Sequence, residues 1–217
     1  MARTGRISGL ARAAIAAAMA GAAAGMIPAP ALAQYSPGYQ FLKAIEKGDG
    51  NEVVQLLQKH SNTLVESRDI TSGESALHIA VKNMVSKGQD LLWVQFLLQH
   101  KANPNVRDNR GITPLMLASQ NGLVDAVNAL IGAGAQVDTG NATGETPLIA
   151  AVHRRDIAMM RVLLKGGANP DRADSSGRSA RDYAALEGAS SQLVNEIERN
   201  AKPRAQGQST AIYGPSF

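Results

Sequence analysis

Gly111, Gly144 and Gly177 stand 33 residues apart, and this spacing constrains the fold more than any other feature of the chain. Gly111-Ile112-Thr113-Pro114-Leu115 recurs as Gly144-Glu145-Thr146-Pro147-Leu148, with weaker copies at Gly73-Glu74-Ser75-Ala76-Leu77-His78 and Gly177-Arg178-Ser179-Ala180-Arg181. A second landmark keeps the same step: Lys101-Ala102-Asn103-Pro104-Asn105 matches Gly134-Ala135-Gln136-Val137-Asp138 and Gly167-Ala168-Asn169-Pro170-Asp171. Apolar pairs lie ahead of it at Leu97-Leu98, Leu130-Ile131 and Leu163-Leu164. A unit of this size cannot bury its apolar faces alone, so the chain must stack its copies into a continuous core.

The chemistry of one unit predicts its shape. Thr113 and Thr146 are N-caps whose hydroxyls accept a backbone N–H of the first turn, and the Pro that follows sits where a missing N–H is harmless. Leu115, Leu117 and Ala118, like Leu148, Ile149 and Ala151, give a short apolar helix face, which Gly122 ends in a tight turn. Val124, Val127, Leu130 and Ile131 give a second helix, matched by Ile157, Met160, Leu163 and Leu164. Gly132 and Gly134 close it as C-terminal glycines. Asp108-Asn109-Arg110-Gly111 and Asn141-Ala142-Thr143-Gly144 form turns between short extended arms.

With these motifs the chain resembles ankyrin-repeat proteins, over roughly residues 41–200. The pattern is read on Thr113-Pro114-Leu115-Met116, on Thr146-Pro147-Leu148-Ile149 and on the unit ends around Ala102, Ala135 and Ala168. The resemblance implies an all-α solenoid of about five helix-turn-helix repeats with short β-hairpin-like loops. The expected repeats span about 41–69, 70–107, 108–140, 141–173 and 174–200, after a linker at 34–40 and before a flexible tail at 201–217. The first unit, from Phe41-Leu42-Lys43-Ala44, reads as an amino-terminal cap without the Thr-Pro pair. Ser191, Gln192 and Glu196 read as polar replacements of core positions in a carboxy-terminal cap. In the second unit Gly73 stands 38 residues before Gly111, and the extra residues are placed in the turn near Met84-Val85-Ser86-Lys87-Gly88. Arg155 stands where other units have Gly122 and Gly188, which predicts a looser turn.

Residues 1–33 read as an export signal. Arg3, Arg6 and Arg12 form a basic start, Ala13 to Ile27 is uncharged, and Pro28, Pro30 and Ala31-Leu32-Ala33 lead to cleavage after Ala33. At ~1.5 Å per residue this apolar segment reaches about 22 Å, short of a ~30 Å bilayer core. Removing its three arginines takes the net charge from +4 to +1, so nucleic-acid binding gains no support. With no Cys there is neither a disulfide framework nor a lipid-bearing cysteine. The expected product is periplasmic or secreted, with no membrane association in the mature form, and monomeric.

Motifs for chemistry are sparse. His60, His78, His100 and His153 have no ligand spacing, which predicts no metal, and no cofactor motif occurs. Gly132-Ala133-Gly134 follows a helix and lacks the third glycine of a dinucleotide fingerprint. The resemblance gives His78 a structural role, bridging backbone groups of neighbouring repeats. It also implies a non-enzymatic module that grips a protein partner on the concave face formed by hairpin tips and first helices. Mapped residue by residue, that face comprises Ser72, Glu74, Lys82, Asn83, Arg107, Asn109, Arg110, Ile112, Gln120, Asn121, Thr143, Glu145, His153, Arg154, Arg172, Ser175 and Arg178. Ile112 is the apolar anchor expected there, and the cations outnumber Glu74 and Glu145. An alternative is an inhibitor or immunity-type regulator of a periplasmic or secreted enzyme.

Overall fold

The structure is a computed structural model that describes residues 36–60, 62–88, 90–188 and 191–201. The segment read as an export signal, 1–33, lies outside the described residues, as does the tail from 202 onward. Among the described residues ten α-helices follow one another in five antiparallel pairs: α1 (Pro37–Lys47) with α2 (Gly50–His60), α3 (Ala76–Lys87) with α4 (Leu92–Gln99), α5 (Pro114–Gln120) with α6 (Val124–Gly132), α7 (Pro147–His153) with α8 (Ile157–Lys165), and α9 (Ala180–Leu186) with α10 (Gln192–Asn200). A 3₁₀ turn, Asn62–Glu66, leaves α2. First helices pack on first helices along the array, and α4, α6, α8 and α10 stack behind them. There is no β-strand among the described residues, only isolated bridges at Arg68 with Ser75 and Ala173 with Ser179.

The first helices start where capping chemistry dictates. The Thr113 hydroxyl accepts the Met116 N–H at 3.2 Å, and Thr146 accepts Ile149 at 3.2 Å, each followed by Pro at the first helical position. The helix faces that meet between repeats bury Leu77, Leu115, Leu148, Ile149, Leu97, Leu130, Leu163, Met159 and Met160 almost completely. Each such side chain contributes about 1.5–3 kcal/mol by leaving water. The core is one strip, running from Phe41 and Ile45 to Leu193 and Ile197.

Hairpin tips repeat a single device. The Oδ1 atoms of Asp69, Asp108, Asn141 and Asp174 each accept backbone N–H groups of the turn that follows. Successive tips then join: the Asn109 N–H donates to the Ser72 carbonyl and the Ser175 N–H to that of Thr143, both at 2.9 Å.

Several expectations are corrected. Helix α1 begins at Pro37, inside the stretch read as linker. The Ser36 hydroxyl accepts the Tyr39 N–H at 3.1 Å, so the first repeat has a Ser-Pro cap one turn upstream of where it was sought. The extra residues of the second repeat are helical. Helix α3 has twelve residues against seven in α5, α7 and α9, because no stop intervenes before Gly88 takes a left-handed conformation. Arg155 adopts φ +54° and makes the same pair of turn hydrogen bonds as Gly122, so its turn is as tight. Glu196 is buried, and its carboxylate receives Arg161 Nε at 2.8 Å.

Candidate functional site

Lengthening α3 creates a trough. Its extra turn brings Val85 and Ser86 to one cavity with the second and third hairpin tips. A cavity of about 620 Å³ results, lined by Thr71, Ser72, Asn109 and Arg110 from the tips and by Glu74, Lys82, Val85, Ser86, Leu117 and Asn121. An adjoining cavity of about 320 Å³ shares Ser72, Glu74, Lys82 and Ser86 with it and extends to Lys43, Glu46 and Lys87.

Six of the residues expected on the concave face line the larger cavity: Ser72, Glu74, Lys82, Asn109, Arg110 and Asn121. A second group gathers on repeats four and five. His153 Nδ1 lies 3.5 Å from Glu145 Oε1, and its ring stands edge-on to Tyr183 with centroids 4.5 Å apart. The Tyr183 hydroxyl donates to Asp174 Oδ2 at 2.8 Å, and Arg178 lies 6.0 Å from the same ring. Thr143 and Ser175 are exposed beside them.

Others also bond the fold itself, though Arg107 and Arg154 remain exposed. Asn83 is buried and donates to the Ile45 and Glu46 carbonyls at 3.0 and 3.3 Å. Arg107 donates to the Gly140 carbonyl at 3.1 Å, and Arg154 to that of Gln120, itself half-buried, at 2.8 Å. Arg172 is exposed but lines neither cavity. Ile112 is half-buried rather than a projecting anchor. Its carbonyl accepts His78 Nε2–H at 3.0 Å and the Asp108 N–H at 2.9 Å. Since a carbonyl only accepts, the His78 proton sits on Nε2, leaving Nδ1 to accept from the Ser75 N–H and hydroxyl at 3.2 and 2.9 Å. Burial holds this imidazole below its ordinary pKa, against the opposing pull of the Ile112 carbonyl.

The aliphatic surface of the trough belongs to Val85 and Leu117, and the aromatic centre of the second group to Tyr183; the sequence reading placed Leu117 on an apolar helix face and Val85 in a turn, and gave none of the three a binding role. A signal existed for Leu117 and Tyr183, which occupy one repeat position, four residues after Thr113 and Ser179.

The charge balance also needs correction. Asp69, Asp108 and Asp174 stand at the tips among the cations. The Asp108 carboxylate is turned inward, with its side chain only 1% exposed: desolvation pushes its pKa up, but hydrogen bonds from the Ile112 N–H and from Arg110 outweigh it and hold it below the usual range. Among the described residues no group of three or more His, Cys, Asp or Glu is placed to hold a metal ion. No described helix is long and apolar enough to cross a membrane.

The sequence matches the family profile of ankyrin repeats in three copies over residues 41–141, and the single-repeat profile over 143–175. It is 34% identical over 114 residues to an ankyrin repeat-containing protein of Treponema pallidum, covering 52% of this chain and 37% of that protein. It is 36% identical to the B-cell lymphoma 3 protein homolog of Mus musculus, over 54% of this chain and 25% of that one. An ankyrin repeat protein of Rickettsia felis is 34% identical over 66% of this chain and 45% of its own length. The chain thus spans less than half the length of each of these relatives.

Proposed function

The chain belongs to the ankyrin-repeat family, whose members are in general non-enzymatic modules of protein–protein interaction, and from that premise we propose that it is exported and docks a protein partner on its concave face. The observation that carries the docking is the trough at the second and third repeats, where side chains from two hairpin tips and two first helices converge on one cavity. Such concave, pre-formed sites with a few placed polar groups are where ligands bind. Export rests on the basic, apolar and small-residue order of positions 3–33.

Photo-crosslinkers placed at Asn109, Asn121 or His153, all exposed, are expected to capture one and the same protein in the native envelope fraction. Crosslinkers at the exposed second-helix positions Gln95 and Asn128 are expected to give no adduct. Adducts from Gln95 or Asn128 alone would sink the concave assignment. Amino-terminal sequencing of the envelope form is expected to start at Gln34. An intact Met1 in the cytosolic fraction would remove the export half of the proposal.

A further inference from the structure

We propose that the trough under the lengthened end of α3 takes an extended, acidic segment of the protein partner, one aliphatic side chain resting on Val85 and Leu117 between carboxylates that face Lys82 and Arg110. This deepens the concave-face reading and rests on it.

The aliphatic seat comes from the extra helical turn. Val85 is 52% exposed although it is a large apolar residue, and half-buried Leu117 lies across the same cavity. Opposite them stand the tip residues Thr71, Ser72 and Asn109, whose hydroxyls and amide are bonded within and between the tips and so hold that wall in place.

The sign of the partner follows from how the trough's ion pairs are buried. Two cations and two acids sum to zero, but they are not equally presented. The Lys82 side chain is 52% exposed and that of its partner Glu74 is 12% exposed. Arg110 is 70% exposed and Asp108 only 1%. Asp108 accepts the N–H groups of Arg110 and Ile112 on Oδ1, and Arg110 Nε and a terminal guanidinium nitrogen on Oδ2. Glu74 takes two bonds from Lys82 Nζ, both at 2.9 Å. An ammonium has a third proton and a guanidinium has five. The surface a partner meets therefore offers donors and positive charge, while the acceptors lie beneath. A basic segment would meet the cations first, and an uncharged one would leave their remaining donors unmatched.

The probe is an array of extended peptides in which an aliphatic residue is flanked by Asp, by Lys or by Ala at varied spacing, read against the purified full chain. Aspartate-flanked peptides are expected to bind, more weakly as salt rises, and lysine-flanked ones not to bind. Val85→Asp replaces an exposed side chain, so the melting temperature is expected to hold while affinity falls about tenfold or more. Arg110→Gln, which keeps the backbone N–H bonds to Asp108 Oδ1 and removes the guanidinium bonds to Oδ2, is expected to reduce the aspartate preference. Absence of binding by every aspartate-flanked peptide, equal binding of the lysine set, or indifference to Val85→Asp would each overturn the proposal. So would self-association of the chain that Val85→Asp abolishes, since the occupant would then be a second copy. Binding lost on Tyr183→Ala but not on Val85→Asp would leave the concave reading standing and remove only the trough. Partner capture from Gln95 or Asn128 alone, with none from Asn109, Asn121 or His153, would remove both.

Discussion

The second repeat and the three that follow all combine apolar packing with polar bridges to their neighbours, and they differ at the position of His78. Around α3 the contacts are directional and polar: His78 spans to the Ile112 carbonyl, Asn83 to the end of α1, and Arg68 to the Arg107 carbonyl. In the third and fourth repeats the place of His78 is taken by Met116 and Ile149, both buried. Those interfaces hold apolar side chains, among them Met159, Met160 and Leu163, and are bridged as well by Arg107 to the Gly140 carbonyl, Arg154 to that of Gln120 and Arg161 to Glu196. Polar bonds have set lengths, whereas apolar packing is indifferent to direction. What both regions share is the stacking of the tips.

That shared device gives the largest expected effect. Gly73 and Gly144 have φ of +71° and +75°, and a Cβ on them would meet the next tip's backbone at 2.9 Å from the Asn109 nitrogen and 3.0 Å from that of Ser175. Gly73→Ala and Gly144→Ala are each expected to cost roughly 3 kcal/mol, combining the left-handed penalty with overpacking. Gly177→Ala, at φ +79° with no described atom within 4 Å of its Cβ, is expected to cost about 1–2 kcal/mol. Urea unfolding of the three variants measures this directly. A loss at only one of the first two positions would show that the two regions stack their tips differently.

The next effect separates the regions. His78 is buried with its pKa held down, so the unfolded chain binds a proton first as the pH falls through the ordinary imidazole value of 6.5. The contribution of His78 is fully present above that pH and is lost as the pH falls toward the folded value. Asp69, Asp108 and Asp174 have lowered pKa values. For Asp69 the Thr71 hydroxyl is the chief cause; in Asp108 and Asp174 desolvation opposes, and hydrogen bonds to the carboxylate prevail. Their stabilisation is present above 3.8 and declines only below it. His78→Met, which copies the third repeat, is expected to cost about 1–3 kcal/mol at neutral pH, by leaving the Ser75 donors unmatched. It should also flatten the stability profile in the mildly acid range. An unchanged slope between roughly pH 6.5 and pH 5 in the variant would place the sensitivity elsewhere.

The regular region was legible from its period because there the capping residues, glycine stops and apolar pairs coincide. The second repeat was legible as a repeat but not in its shape. Ser75 opens α3 as Thr113 opens α5, but the stop comes at Gly88 rather than where Gly122 stands, and the intervening Met84-Val85-Ser86-Lys87 carries no breaker. Reading those residues as turn moved Val85 off the concave face. The family's contact positions placed Asn83, Arg107 and Arg154 correctly on the chain, yet their partners are backbone carbonyls of neighbouring repeats, far away in sequence. Periodicity specifies which residue occurs at a position; what that residue bonds across the stack depends on the adjoining copy.

The smallest effect compares two residues that hold glycine's place, one in each region. Lys101 at φ +66° stands where Gly134 and Gly167 do, and Arg155 at φ +54° where Gly122 does. Each keeps the turn closed in a conformation that costs a side-chain-bearing residue about 1–2 kcal/mol. Replacement by glycine regains most of that, less the added entropy of the unfolded chain. Arg155 also pairs with Glu187, an exposed contact contributing at most about 1 kcal/mol, whereas Lys101 has no ion pair among the described residues. Lys101→Gly is therefore expected to raise stability by about 1 kcal/mol, and Arg155→Gly by somewhat less. The order of the two melting temperatures is the test. If Arg155→Gly gained more, the strain in its turn would exceed that at Lys101, and the regular region would be the less relaxed of the two.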